Sequence, residues 1–347
     1  MKSRDIKGYA VTVGGSLGAA VPDRSMELSR KRDYWVVPMK LIDVTRQFNT
    51  EDECLDYIEK MRWPNGELGC VHCGEAGRVS KITREAGKNK RTRIYQCLAC
   101  GKQFSATSGT IFNDTHLPLT KWFMALALIC EAKKGISAKQ IERHLGVNYR
   151  TAWHLCHRIR AAMQDGGLLT GEVEADETYL GARKPRKGRP YVKKDKKDVV
   201  LGMIERGGKL RLVPVKGAKM EILGPALEEH ISPGAHTIYT DESAAYAIYL
   251  QRHFDAEHKT INHSRTYGMG DTHTNTMENA FSLLKRGIYG TFHRVSVKHL
   301  GRYCNEFSFR FNRRGEQLQM FDATLKSILN EKALPYKNLT ASLVSES

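Results

Sequence analysis

No stretch of about 18 apolar residues occurs anywhere in the chain, so no membrane-spanning helix is expected. A secretory leader is lacking too, because Gly14-Gly15-Ser16-Leu17-Gly18 interrupts the apolar run that one needs. These two absences point to an intracellular protein. That setting disfavours disulfides, so the eight cysteines read as thiols or metal ligands. Carboxylates are in short supply. There are 38 Asp and Glu against 55 Lys and Arg, a formal net charge of +17. Such an excess argues for a polyanionic partner, with a membrane surface as the competing explanation. No segment repeats another. What is present suffices for cores: 347 residues predict two or three domains, and 41% of them are hydrophobic.

Residues 1–45 carry scattered charges, glycine and serine, and no sustained period. They are expected to be disordered or an extension, with Met39 as the natural start; peptides from before Met39 in the native protein would exclude that start. Residues 46–112 are expected to form a zinc ribbon with a preceding helix. That helix covers 50–62, with Thr50 and Glu53 spaced as in a capping box and Cys54, Tyr57, Ile58 and Met61 on one side. Two C-x-x-C pairs follow, Cys70/Cys73 and Cys97/Cys100, 23 residues apart. Each pair presents two thiolates from a tight knuckle, and Gly74 and Gly101 stand where such a knuckle needs an unusual backbone. Two knuckles complete a tetrahedral Zn²⁺ site with bonds of ~2.3 Å. A pair of redox motifs is the alternative. Cys54, Cys130, Cys156 and Cys304 lie in helical contexts and are expected as packed thiols.

Residues 113–168 carry three helix-like runs: 119–133, a second from a Ser137 cap through Leu145, and 149–163, with a turn at Gly146-Val147-Asn148. Ile136, Ile141, Leu145, Val147, Ala152, Leu155 and Ile159 supply an interior. Tyr149, Arg150, Thr151, His154, His157 and Arg158 are expected on the outer side of the last helix. A helix-turn-helix needs donors at the start of its second helix and basic groups for phosphate. A helical linker with solvated arginines is the plainer reading.

Residues 169–335 alternate strand-like and helix-like runs, as an α/β domain does. Strands are expected at 172–178, 198–205 and 209–215, a helix at about 219–231, and a fourth strand at 236–240. This order is that of an RNase H-like mixed sheet, whose first and fourth strands lie side by side at ~4.8 Å. The first strand carries Asp176 and the fourth delivers Asp241; after 36 more residues Glu278 opens a helix. Three such carboxylates can hold two Mg²⁺ (or Mn²⁺) ions, which activate an attacking oxygen and stabilise a leaving one in phosphodiester chemistry. Strand neighbours face opposite ways. Glu174 and Glu177 therefore stay open beside Asp176, and Glu242 beside Asp241.

Lys285 stands seven residues after Glu278, close to two helical turns, and shares its face. With Arg286 it is a candidate for holding phosphate. The run from Arg183 to Lys197 has nine Lys or Arg against Asp195 alone. Within it Arg186, Lys187 and Arg189 are candidate DNA contacts whose effect would fall steeply with salt; a solvated hairpin is the other reading. Tyr303, Phe307 and Phe311 recur every four residues and are expected in the core, while Arg302, Arg310, Arg313 and Arg314 are candidates for lining a DNA path. His263 and His273 flank the Glu278 helix with no role that separates catalysis from structure. Residues 336–347 are expected as a flexible tail.

Through GELGCVHCG, YQCLACGKQFSATSGTIF, VEADETYLGAR, TDES and HTNTMENAFSLLKRGIYGTFHRVS, the chain resembles bacterial insertion-sequence transposases of the ISXO type. These join an N-terminal zinc ribbon to a DDE catalytic domain. The resemblance covers the chain from about Trp63 to Arg314. It implies an enzyme that cleaves DNA at its element's ends and transfers the 3′-hydroxyls to target DNA, with Asp176, Asp241 and Glu278 at the catalytic positions. Some relatives carry asparagine or histidine at the third position, which leaves Asn279 as an alternative to Glu278. The implied partners are terminal-repeat and target DNA, no membrane, and further copies of the chain, as a dimer or larger assembly on DNA. The implied setting is the cytoplasm, at the nucleoid. Two readings from other classes stand beside it: a non-catalytic zinc-ribbon DNA-binding regulator derived from a transposase, and a metal-dependent nuclease without strand transfer.

Overall fold

The computed structural model describes residues 39–82, 93–181, 198–241, 244–261 and 275–340. Of the expected extension, 1–45, residues up to 38 lie outside the described residues, as do the basic run with Arg186, Lys187 and Arg189, and Glu242, His263 and His273. Residues 39–45 depart from that expectation, since Leu41–Gln47 form a helix and Met39 and Val44 are buried in a core.

Two helices open the described chain, α1 (Leu41–Gln47) and α2 (Glu51–Arg62). The capping box expected on α2 is present: Thr50 Oγ1 accepts the Glu53 N–H at 3.2 Å and the Glu53 carboxylate accepts the Thr50 N–H at 2.8 Å. Strands β1 (Val79–Ile82), β2 (Ile94–Cys97) and β3 (Gln103–Phe104) form a small antiparallel sheet in that order. Helices α3 (Leu119–Glu131), α4 (Ala138–Leu145) and α5 (Tyr149–Ala162) follow. Their boundaries obey the caps: Ser137 accepts from Gln140, Asn148 accepts from Thr151, and Gly146 ends α4 in the left-handed conformation at φ +58°. Glycine carries that φ without a Cβ penalty.

The second half builds a five-stranded sheet from β4 (Glu172–Leu180), β5 (Asp198–Glu205), β6 (Leu210–Val215), β7 (Thr237–Asp241) and β8 (Glu257–Ile261), in the order β6-β5-β4-β7-β8. β5 pairs antiparallel with both β4 and β6, while β7 pairs parallel with both β4 and β8. The first and fourth strands are therefore neighbours, and the sheet is of the mixed, RNase H-like kind. Helices α6 (Met220–His230) and α7 (Ala244–His253) cover one face, where Leu223, Leu227, Tyr246 and Leu250 pack on Val173, Ala175, Leu201 and Met203. Helices α8 (Asn275–Gly287) and α9 (Val297–Asn312) cover the other, where Met277, Phe281, Leu284 and Leu300 pack on Val200, Ile204 and Leu212. Burying both faces is what a partly parallel sheet requires. No helix of the described residues is long and apolar enough to cross a membrane.

The end of the chain departs from expectation. Helix α10 (Met320–Asn330) does not stay with the sheet. Its Phe321, Leu325 and Ile328 join Phe48, Phe123, Ile129 and Leu155 in the core of α1–α5. Residues 336–347 are not wholly a flexible tail either. Tyr336–Thr340 form a short helix, α11, whose Leu339 is buried. Lys298 and Arg302 of α9 donate to its Thr340 and Leu339 carbonyls, each at 3.2 Å.

Candidate active site

β4 and β7 pair in the register Glu172↔Thr237, Val173↔Ile238, Glu174↔Tyr239. Carried two residues on, that register puts Asp176 and Asp241 level on adjacent strands. Their faces follow from their neighbours. Glu174 accepts the Met277 N–H of α8 at 3.1 Å. Arg206 reaches Glu172 and Glu174 at 3.1 Å each and lies 3.8 Å over the Tyr239 ring. Glu174 and Tyr239 thus look toward α8, and alternation along each strand gives Asp176 and Asp241 the same side. Glu174 is fully buried and engaged by Arg206 and α8, which gives it a structural job.

Glu177 belongs to the opposite face, where its carboxylate accepts the Tyr246 hydroxyl of α7 at 3.0 Å. Its own N–H donates to Asp176 Oδ1 at 2.7 Å. Burial pushes the Glu177 carboxyl up, and the charge of Asp241 adds to the rise. The Tyr246 hydroxyl is held far above its ordinary range by burial and then by Glu177, Asp241 and Asp176. All three acids therefore lie within electrostatic reach of one hydroxyl. Nothing in the sequence singled out Tyr246, because its partner comes from a strand 69 positions away.

Gly202 stands directly opposite Asp176 on β5. A Cβ there would come 2.5 Å from Met277 Cε and 2.7 Å from the Phe281 ring. The missing side chain lets α8 rest on the sheet, and Glu278, the residue after Met277, lines one cavity with Asp176 in the middle of β4. A glycine inside a strand marks such close approach, so this signal was in the sequence and went unused. Between β4 and α8 opens a cavity of about 790 Å³ lined by Asp176, Glu177, Thr178, Glu278, Ser282, Lys285, Arg286 and Tyr289. Glu278, Lys285 and Arg286 of α8 line it together, with Asp176 contributed by β4. Asn279, the alternative third ligand, is exposed and does not line this cavity. Among the described residues only the four ribbon cysteines bring three or more ligand atoms within 4.8 Å of one another. Asp176, Asp241 and Glu278 form no such set, and of the three only Asp176 and Glu278 line the cavity.

In the ribbon, Cys70 Sγ lies 3.7 Å from Cys100 Sγ, and Cys73 Sγ lies 3.7 Å from Cys97 Sγ. A tetrahedron with ~2.3 Å metal–sulfur bonds has edges of ~3.8 Å, so the four thiols fit one Zn²⁺. Both knuckles close in the same way: Gly74 N–H bonds the Cys70 carbonyl and Gly101 N–H the Cys97 carbonyl, each at 2.9 Å. Both glycines have positive φ, +77° and +70°. His72 turns its ring edge-on to Phe104. Cys54, Cys130, Cys156 and Cys304 are buried, as expected.

The three-helix unit needs correction at its outer face. Arg158 is buried and donates to the Ile111 carbonyl, with its guanidinium 5.1 Å over Trp122. It anchors the segment before α3, so it is not available to DNA. His157 is also buried, packed between Trp153, His299 and Tyr303. His154 is half-buried against Tyr336 of α11. Arg313 is committed to Asp165 at 2.8 Å and lies over Phe309, and Arg310 is buried against Glu306 at 2.6 Å. Helical spacing gives the face a residue occupies but not what later packs on it. Arg150 and Tyr149, in the first turn of α5, remain exposed.

The chain has relatives among proteins of transposable elements. Residues 168–312 match the ISXO2-like transposase domain, and residues 49–103 match the transposase zinc-ribbon domain. A Halobacterium salinarum protein, described as an uncharacterized protein in transposable element ISH50, is 28% identical over 282 residues, spanning 76% of this chain and 92% of that one. A pre-cleavage Mos1 transpososome is matched over 59% of this chain and 78% of that chain at 10% identity, with a TM-score of 0.21. The Mos1 strand transfer complex is matched over 55% and 76% at 11% identity, also with a TM-score of 0.21. Scores that low establish no shared architecture. The sheet order and the two domain matches, with residues 104–167 between them, support a transposase. More narrowly, residues 49–103 and 168–312 are the zinc ribbon and the ISXO2-like domain found in insertion-sequence transposases.

Proposed function

We propose that the protein cuts DNA at the ends of its insertion sequence and joins the freed 3′-hydroxyls to target DNA, with Asp176, Asp241 and Glu278 as the catalytic set. What supports this is the shared face: the β4–β7 register, carried on two residues, sets the two aspartates level, and Glu278 of the helix packed on Gly202 lines one cavity with Asp176. Those carboxylates would hold two Mg²⁺ or Mn²⁺ ions, which activate the attacking oxygen and stabilise the leaving one. In the first step water attacks phosphorus and the 3′-oxygen leaves as a hydroxyl. In the second that hydroxyl attacks a target phosphodiester and displaces the target's own 3′-oxygen. Both are in-line displacements, so one site serves both. Lys285 and Arg286 supply positive charge at the cavity wall to seat the phosphate.

Cys70, Cys73, Cys97 and Cys100 would hold one structural Zn²⁺ and shape the ribbon. DNA contacts come from the exposed Arg150 and from the cavity cations, and pairing of two element ends brings two or more chains together on DNA. The working place is the cytoplasm, at the nucleoid.

The test is incubation of the zinc-loaded protein with a supercoiled plasmid bearing both element ends, with and without Mg²⁺. Mg²⁺-dependent nicks at the ends, then joined products, are expected. Asp176→Asn, Asp241→Asn and Glu278→Gln should each abolish cleavage while retaining DNA binding. Full cleavage by any one removes that residue from the catalytic set. Binding without cutting by the wild-type chain would indicate a regulator, and cutting without joining a nuclease.

A further inference from the structure

We infer that α11 is a second duplex-contacting element, forming one DNA surface with the first turn of α5 and the basic side of α4. The inference rests on the DNA-processing reading above and adds to it which surface engages the duplex.

A duplex cannot lie along a bare α5. Beyond the first turn its outer side chains are taken: His154 by Tyr336, His157 by His299, and Arg158 by the Ile111 carbonyl. What stays open is the first turn, with Tyr149 50% exposed. Beside that turn α11 fills the space. The Arg150 guanidinium lies 4.9 Å over the Tyr336 ring, and Tyr336 itself is 43% exposed. From its far side α11 is fixed by Lys298 and Arg302, which donate to its last carbonyls. These bonds hold it on α9 as well as on α5, as part of the surface.

The chemistry of this patch fits a phosphate backbone. Tyr336, Lys337 and Asn338 are exposed on α11. Lys139 of α4 lies 5.7 Å from the Tyr149 ring, and Arg143 follows it by one turn. The carboxylate among them, Glu142, is paired with Lys139 at 2.6 Å. A segment that masked a basic face would carry carboxylates to neutralise it. The sequence Tyr336-Lys337-Asn338-Leu339-Thr340 carries none, so α11 extends the positive field. Aromatic, cationic and amide side chains in one patch are the groups that contact sugar and phosphate, while the start of a recognition helix reads base edges.

The experiment is fluorescence anisotropy with the full chain, divalent metal omitted so that nothing is cut. The probes are a labelled duplex carrying the outermost base pairs of the element and a scrambled duplex of equal length. Lys337→Ala should weaken binding to both probes alike and lower the slope of log K against log salt by about one unit. Tyr336→Ala should weaken binding severalfold with less change in slope, and Tyr336→Phe should restore most of it. Melting curves confirm that each variant folds. Unchanged affinity and slope in both alanine variants overturns the inference, as does tighter binding, which would make α11 a shield. Absence of binding by the wild-type chain would instead overturn the DNA-processing reading, and this surface with it.

Discussion

Arg160 of α5 and Glu306 of α9 meet at 2.5 Å with both side chains shut off from water. A second guanidinium, Arg310, reaches the other Glu306 oxygen at 2.6 Å, and Arg160 also donates to the Ile136 carbonyl at 3.0 Å. Burial pushes the Glu306 carboxyl up, but Arg310 and Arg160 outweigh it and hold the group below the usual carboxylate range. This pair ties the three-helix unit to the helix that covers the sheet. Removing one member of a buried pair strands the others, at about 3–5 kcal/mol. Glu306→Ala, which leaves two arginines without their anion, is therefore expected to lose about that much stability by urea unfolding. A loss under about 1 kcal/mol would mean that water replaces the carboxylate.

Gly202→Ala tests the seat of α8. The added methyl meets the flexible end of Met277 but also the buried Phe281 ring, and overpacking of this kind costs about 1–3 kcal/mol. Displacing α8 moves Glu278 relative to Asp176, with which it shares a cavity, so DNA cleavage should fall further than stability accounts for, with duplex binding intact. Wild-type cleavage in a folded Gly202→Ala protein would show that the position of α8 on the sheet does not set the site.

Acid should weaken the α5–α9 junction before ordinary carboxylates titrate. Burial, and then Arg160, His299, Arg302 and His154, push the His157 imidazole down to about 2; burial, then Arg302 and Lys298, push His299 down to about 4. Both are lower in the folded state than unfolded, so the unfolded chain takes up these protons first. Their contribution is complete above the unfolded value of ~6.5 and is lost as pH falls toward the folded values. Between pH 6.5 and 5 the urea midpoint should decline, and His157→Leu should flatten the decline. An unchanged slope in that variant would assign the acid lability to other groups.

Much of this was written in the sequence where the signal is local. The Thr50–Glu53 box, the caps at Ser137 and Asn148, and the paired cysteines each fix their own neighbourhood. The β-β-β-α-β order then sufficed to put Asp176 beside Asp241. The residues that went wrong are those whose partners are distant in the chain. Arg158 and Arg313 are candidate DNA contacts by sequence, yet each meets an acceptor dozens of positions or more away. Strand β8 and helix α7 were not foreseen. The run Glu257-His258-Lys259-Thr260-Ile261 is a polar edge strand with little apolar alternation. Choosing between Asp176 and Glu177 needed the observed faces, because alternation is symmetric until one side has a known partner.

The return of α10 to the N-terminal helices has a consequence for how the molecule is made. Phe321, Leu325 and Ile328 form one wall of the core that also holds Phe123, Ile129 and Leu155. A nascent chain has synthesised the ribbon and all three helices long before that wall exists. The helical unit can close only after the whole sheet has left the ribosome. Copies cut short ahead of Met320 keep their cysteine knuckles but leave an open apolar face where α10 belongs, and chaperones and proteases act on such faces. Completeness of the catalytic half is thereby written into the stability of the half that precedes it.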